Sequence, residues 1–219
     1  MASTDLNKLT EETLKVSQRW VDTPYYNAVE ATAQRQWTSL IEPFLEDASI
    51  DMTHVLELAV GHGRMTQILL ERSKRVTGVD VLQENIDFCA ERFGQIDNLT
   101  LLKNDGVSLE EIDDDTVTFV FCFDSMIHFD SDVVRNYLRE FKRIMASGAM
   151  AFLHHSNLSQ NPGGDFQRNA HARNFMSTQL FSHYAQKEGL EVMKQVVIDW
   201  GNGDKKVENL DGLALLRCP

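Results

Sequence analysis

From residue 51 onward, short apolar runs alternate with longer stretches whose apolar residues recur every three or four positions. The runs at 53–59, 76–80, 99–102, 116–123, 149–153, 190–200 and 210–216 have the length and β-tolerant composition of strands. The run at 116–123 is apolar almost throughout, as a strand covered on both faces is. Between the runs, 65–70, Gln83–Phe93, 131–145 and 176–189 predict helices. Ile86, Cys89, Ala90 and Phe93 line one side of the second, and Val134, Leu138, Phe141 and Ile144 one side of the third. This alternation predicts a parallel sheet with helices on both faces. The last two runs are joined by Gly201-Asn202-Gly203-Asp204 with no helix between them, which predicts an antiparallel pair and one reversed strand. Gly148 is expected to end the third helix and Ser177 to cap the fourth.

Ahead of residue 51 the pattern is helical. A polar-capped segment beginning at Thr10-Glu11-Glu12-Thr13 runs toward Trp20, Pro24 interrupts it, and 27–45 resumes with Trp37, Leu40, Ile41 and Phe44 facing a core. The chain thus divides into a helical cap or lid at 1–50 and a sheet domain at 51–219. Pro24-Tyr25-Tyr26 is either a proline turn whose aromatics pack the junction or a small lid with a Tyr hydroxyl, that of Tyr26, reaching a ligand. The stretch 156–174 breaks the pattern. It is rich in Asn, contains Pro162-Gly163-Gly164 and has little periodicity, and long loops inside compact domains usually serve function.

Composition narrows the classes. A chain of 219 residues with 42% hydrophobic and 25% charged residues fits one α/β domain with its own core. A net charge of −12 argues against nucleic acid as the main partner, since such proteins present a basic face. Cys89, Cys122 and Cys218 are too few and too scattered for a disulfide framework or a zinc site. The segment up to Lys15 is polar, and no run approaches the ~18 apolar residues of a membrane span. A cytoplasmic protein without a membrane span is expected.

In an open α/β sheet, ligands sit at the carboxyl ends of the strands. Those ends are Ala59 to Gly63, Asp80, Asp105-Gly106, Asp124 to His128, and His154-His155 with Asn157. Gly61 and Gly63 form a turn that lets backbone approach a ligand closely, and a helix follows. Asp80 stands 23 residues after Glu57, the offset at which an acid takes a ribose diol; its bland alternative is a helix cap. The dinucleotide fingerprint is not spelled out: Ala59 holds the place of the first glycine and the third is missing. Glu57, an acid inside the strand before the turn, suits a cationic ligand end such as an amino group.

These residues resemble a known family. Glu57-Leu58-Ala59-Val60-Gly61-His62-Gly63 is similar to the first motif of the class I S-adenosylmethionine-dependent methyltransferases. Asp80, Asn104-Asp105-Gly106 and Phe123-Asp124-Ser125-Met126 fall where that family's later motifs fall, and the terminal hairpin matches its reversed seventh strand. The resemblance covers roughly 50–218 and implies a doubly wound, seven-stranded, mostly parallel Rossmann-like sheet with its last strand antiparallel. It implies S-adenosylmethionine as cofactor, with S-adenosylhomocysteine as product. Glu57, Ala59, Gly61 and Gly63 would hold the methionine part and Asp80 the ribose, with Val81 beside it. Asp105 would take the adenine amino group next to Gly106, and Phe123 would pack the ligand. The wider text, including Pro24-Tyr25-Tyr26 and His154-His155-Ser156-Asn157, resembles bacterial methyltransferases of glycan and natural-product pathways.

Methyl transfer to a hydroxyl needs alignment and removal of a proton, usually by His near neutral pH. His128, a short turn past Asp124, is either the base or a structural hydrogen-bonding residue. His154 and His155 are further candidates, but neighbours on a strand face opposite sides, so at most one faces the pocket. His62 sits in the glycine turn, near the donor or merely packed. Asp124, Asn157, Arg168 and Arg173 are candidate acceptor-binding residues, the two arginines offering cations to a phosphate or carboxylate. Asp124, His128 and a third histidine lack compact ligand spacing, so no metal is expected. The leading expectation is O-methylation of a hydroxyl on a sugar or natural-product acceptor. Methylation of a carboxylate on a small acid or peptide is the alternative. An NAD-dependent oxidoreductase and a donor-binding regulatory module are more remote.

Overall fold

The computed structural model describes residues 3–219, with side chains from Leu6 onward. The predicted cap at 1–50 therefore begins with two residues outside the described ones. Seven strands form one sheet in the order β3-β2-β1-β4-β5-β7-β6. They are β1 (His54–Leu58), β2 (Arg75–Asp80), β3 (Leu99–Lys103), β4 (Val117–Cys122), β5 (Met145–Ser156), β6 (Glu191–Trp200) and β7 (Val207–Arg217). β1 to β5 run parallel, and β7 pairs antiparallel with both β5 and β6. The order reverses direction at β1, so the ends of β1 and β4 diverge around a crevice.

Alternation along the central strands sorts side chains between two cores. Leu56, Leu58, Val120 and Cys122 face α7 (Ser131–Ile144) and α8 (Thr178–Lys187), meeting Leu138, Phe141 and Phe181. Val55, Phe119 and Phe121 face the other way, toward α5 (Arg64–Leu70) and toward Trp37, Ile41 and Phe44. The N-terminal helices therefore share a core with the sheet. α6 (Gln83–Phe93) covers β2 and β3 through Ile86 and Cys89.

Three elements depart from the sequence pattern. The helix expected at 27–45 is broken into α2 (Tyr25–Glu30), α3 (Ala33–Gln36), a π turn (Trp37–Ile41) and α4 (Glu42–Leu45). Pro43 has no N–H for the helical bond back to Ser39, and the wider turn ahead of it accommodates that loss. The first helix, α1, spans Ser3–Gln18 and so starts well before Thr10. At the other correction, α7 ends at Ile144 and β5 follows without a loop; Gly148, with φ +82°, lies in an irregular register of β5 rather than ending the helix.

Candidate active site

The turn after β1 is pulled onto β2 by two hydrogen bonds, in which Ala59 N–H and Val60 N–H both donate to the Val79 carbonyl at 2.7 and 3.1 Å. This forces Ala59 to φ +62°, a conformation that costs a residue with a Cβ about 1–2 kcal/mol. Gly61 is required for a separate reason: a Cβ there would stand 2.7 Å from Cε1 of Tyr26. Tyr26 thus lies on the turn. Its ring stacks on His62 at 3.8 Å, and His62 stacks in turn on Phe88 at 3.8 Å. His62 is a packing residue that clasps the cap to α6.

Three acids and one histidine define the polar geometry. Asp80 is buried and accepts from Gly61 N–H at 2.9 Å, Leu82 N–H at 2.9 Å and Asn85 at 3.1 Å. Burial raises its pKa, and the three donors oppose that shift. Glu57 is buried at the end of β1 with Thr66 Oγ1 as its donor at 2.6 Å. Desolvation pushes its pKa up to about 8, so the free protein holds it largely neutral at pH 7. Asp124, at φ +59°, follows β4. Its Oδ2 accepts from Arg64 at 2.7 Å and from the Tyr25 hydroxyl at 2.9 Å. Burial, then the neighbouring Asp124 carboxylate, holds the Tyr25 phenol well above its ordinary range. Burial also pushes Tyr26 up to about 12.

His128 is buried, and its Nδ1 lies 2.8 Å from the Ala172 carbonyl. A carbonyl only accepts, so Nδ1 carries the proton and Nε2 is the basic atom. Burial, then Arg173, lowers the His128 pKa to about 4, so the ring is neutral at physiological pH. Trp20 packs against it at 5.0 Å. Ala172 is held there at a strained φ of +55°, after His171 at φ +49°. The adjacent Arg173 anchors this turn: its Nε donates to Asp211 Oδ1 at 2.8 Å and its Nη2 to Oδ2 at 2.6 Å, wholly buried.

Two hollows meet at this point. The first is lined by Glu57, Ala59, Gly61, Asp80, Val81, Gly106, Phe123 and Tyr26, and is roofed by Thr13, Val16 and Ser17 of α1. The second, of about 700 Å³, opens between the cap, the 156–174 loop and the end of β6. Trp20, Tyr25, Asp124 and His128 line both.

The structure brings most of the expected residues together, but several stand elsewhere. His154 and His155 do face opposite ways. His154 lies beneath the mouth, where Nδ1 accepts from Asp124 N–H at 3.2 Å and Nε2 stands 3.1 Å from Asp211 Oδ2, out of line for a hydrogen bond. His155 stacks on Phe181 at 3.9 Å, on the α8 side, away from both hollows. Asp105 is exposed and closes its own turn, accepting from Val107 N–H and Ser108 N–H. Gly63 begins α5 rather than lining a hollow. Asn157 ties the loop to Asn209 and Thr178. Arg168 projects outward with its side chain 87% exposed, and Arg173 reaches the second hollow only as a partner of Asp211. Among the described residues, no group of three or more His, Cys, Asp or Glu is arranged to hold a metal ion.

Sequence reasoning missed the α1 roof, Trp20, Arg64 and Asn85. Arg64 ends the glycine turn, and Trp20 adds to the aromatic cluster at Tyr25-Tyr26 in a polar segment. Those were the available signals.

Comparisons agree with this geometry. Residues 55–148 match the model of a family described as a methyltransferase domain. Over 124 residues the chain is 27% identical to a Bacillus subtilis protein described as a methyltransferase, YqeM, covering 56% of this chain and 49% of that one. The chain therefore spans about half the length of that relative. The fold is similar to geranyl diphosphate C-methyltransferase from Streptomyces coelicolor, with TM-score 0.67, 15% identity, and coverage of 91% of this chain and 87% of that chain. It is also similar to a Haloferax volcanii methyltransferase solved with the Trm112 activator, with TM-score 0.64, 17% identity, and coverage of 88% and 94%. The match over residues 55–148 is to a methyltransferase domain, and S-adenosylmethionine is the cofactor with which such domains work. The residues under α1 suit the groups of such a ligand, with the buried Glu57 carboxylate, the Asp80 carboxylate, apolar walls and Gly61 on one lining, although with Thr13, Val16 and Ser17 over it the hollow measures only about 80 Å³.

Proposed function

We propose that the protein transfers the methyl group of S-adenosylmethionine to a hydroxyl oxygen of a small acceptor, of the sugar or natural-product type, in the cytoplasm. In this reading Glu57 holds the cationic amino end, Asp80 the ribose hydroxyls, and Val81, Gly106 and Phe123 enclose the rest. The cofactor supplies an electrophilic methyl on a sulfonium. His128 takes the acceptor's proton on Nε2, while its Nδ1–H stays bonded to Ala172. Asp124, braced by Arg64 and Tyr25, fixes the floor beside it. Trp20 and Tyr25 exclude water between the two hollows.

The observation that carries this reading is His128 itself: an imidazole of fixed tautomer at the wall shared by both hollows, with no described partner on Nε2. Replacing His128 by Ala is expected to lower kcat by about 10²–10⁴-fold with donor affinity retained. Near-normal turnover in an assay of S-adenosylhomocysteine release sinks the hydroxyl route. One observation favours methylation of a carboxylate instead: a pKa lowered to about 4 makes His128 a weak base, and a carboxylate acceptor needs no proton removed. The same variant separates the two.

A further inference from the structure

The second hollow has an uneven charge balance. Its acids are already neutralised. Asp124 is held by Arg64 and Tyr25, and Asp199 by Lys206 Nζ at 2.7 Å and Asn209 N–H at 2.9 Å. Of its basic side chains, Arg173 is consumed by Asp211, and His171 Nε2 donates to the Lys205 carbonyl at 2.7 Å. Two arginines remain, Arg19 and Arg35, one at the end of α1 and one on α3. Among the described residues, every other arginine has an ion pair or a side-chain hydrogen bond. Arg19 and Arg35 have neither, and both line this hollow. In a chain with twelve more acids than bases, net −12, two uncommitted guanidinium groups lining one hollow call for an anion to complete them.

We infer that the acceptor carries an anionic group, a phosphate or carboxylate, which Arg19 and Arg35 bind at the outer end of the second hollow. This inference rests on the proposed methyl transfer for the word acceptor. Arg19 is pre-oriented by Trp20, whose ring lies 5.4 Å from its guanidinium carbon. Trp20, Tyr25 and Trp200 supply flat apolar surface for the body of the acceptor, which then reaches back toward His128. The charge is read at the far end and the methyl is received at the near end. The cations therefore set which acceptors enter without touching the reacting atoms. Arg19 follows α1 and Arg35 lies on α3, so the anion role expected of Arg168 and Arg173 falls on the cap instead.

The test uses the full chain loaded with S-adenosylhomocysteine. Inorganic pyrophosphate is titrated by calorimetry into the wild type, the R19A/R35A double variant and an R168A control. The expected result is binding to the wild type and to R168A, weakened at least tenfold in R19A/R35A and weakened by added salt. S-adenosylhomocysteine affinity should be unchanged in the double variant, since neither arginine lines the first hollow. Absence of pyrophosphate binding at millimolar concentration, or equal binding by the double variant, overturns the inference. Competition by glucose 6-phosphate, glucuronate and glucose then distinguishes phosphate from carboxylate; equal competition by neutral glucose also overturns it. Loss of S-adenosylhomocysteine binding by the wild type refutes the methyl-transfer reading separately, because pyrophosphate titrated into the free protein still reports on the two arginines.

Discussion

The donor hollow and the acceptor mouth are built in opposite ways. At the donor hollow, contacts are short in sequence: Asp80 takes N–H groups from Gly61, nineteen residues back, and from Leu82, two residues on. The mouth is assembled across the whole chain. Tyr25 reaches Asp124 over 99 positions, Arg64 reaches it over 60, and His128 finds Ala172 over 44. Apart from its α1 roof and Tyr26, the first region is fixed by adjacent strand–turn–helix units. The second exists only once the cap, the 156–174 loop and β7 have docked. Perturbations of the two should therefore separate.

The largest expected effect breaks the mouth alone. Arg173→Met strands Asp211, whose carboxyl the Arg173 guanidinium holds far below the usual range against the opposing effect of burial. A loss of about 3–5 kcal/mol in stability is expected by thermal or urea unfolding. At temperatures where the variant stays folded, S-adenosylhomocysteine binding should persist while kcat falls, because the Ala172 turn that orients His128 is released. Equal loss of both would show that the two regions are one unit.

Glu57 gives the next effect, on the donor side. Its folded pKa of about 8 exceeds the ordinary 4.5, so the folded protein keeps a proton that the unfolded chain has lost between those values. The contribution of this group to stability therefore falls as pH rises from 4.5 to 8. Glu57→Gln should remove that slope and stabilise the free protein at pH 8 by on the order of 2–4 kcal/mol, read from Tm against pH. The same variant should weaken donor binding and abolish any proton release that accompanies it in calorimetry.

Asp80→Asn sharpens the contrast further. Donor affinity should fall roughly 10–100-fold through loss of a charged acceptor, with the mouth and the anion affinity of the donor-free protein intact. Pyrophosphate binding lost in parallel would contradict the separation.

The smallest effect is Ala59→Gly. Relief of the left-handed strain should stabilise the protein by about 1 kcal/mol, less the added freedom of the unfolded chain, with little change in turnover.

This contrast also explains what could be read from the sequence. The seven strands, the reversed hairpin and the acids at the strand ends were legible, because each follows from periodicity or from a spacing within one supersecondary unit. Asp105 illustrates the limit: the motif position was visible, but an Asx turn to Val107 and Ser108 uses its carboxylate. The roles of His155 and Arg173 were not legible. One depended on which face of β5 meets Phe181, the other on a partner 38 residues away on the last strand. The roof formed by α1 had no motif at all, since Thr13, Val16 and Ser17 are ordinary positions on an amphipathic helix.

That roof has one more consequence. α1 covers the donor hollow with Thr13 and Val16, and the residues that follow it, Arg19 and Trp20, line the acceptor hollow. A single short lever thus feels both ligands. Occupancy of either hollow that settles the lever lowers the cost of filling the other, and thermodynamic reciprocity makes the two enhancements equal. Synergy measured from the acceptor's side must reappear, by the same factor, in the affinity for the donor.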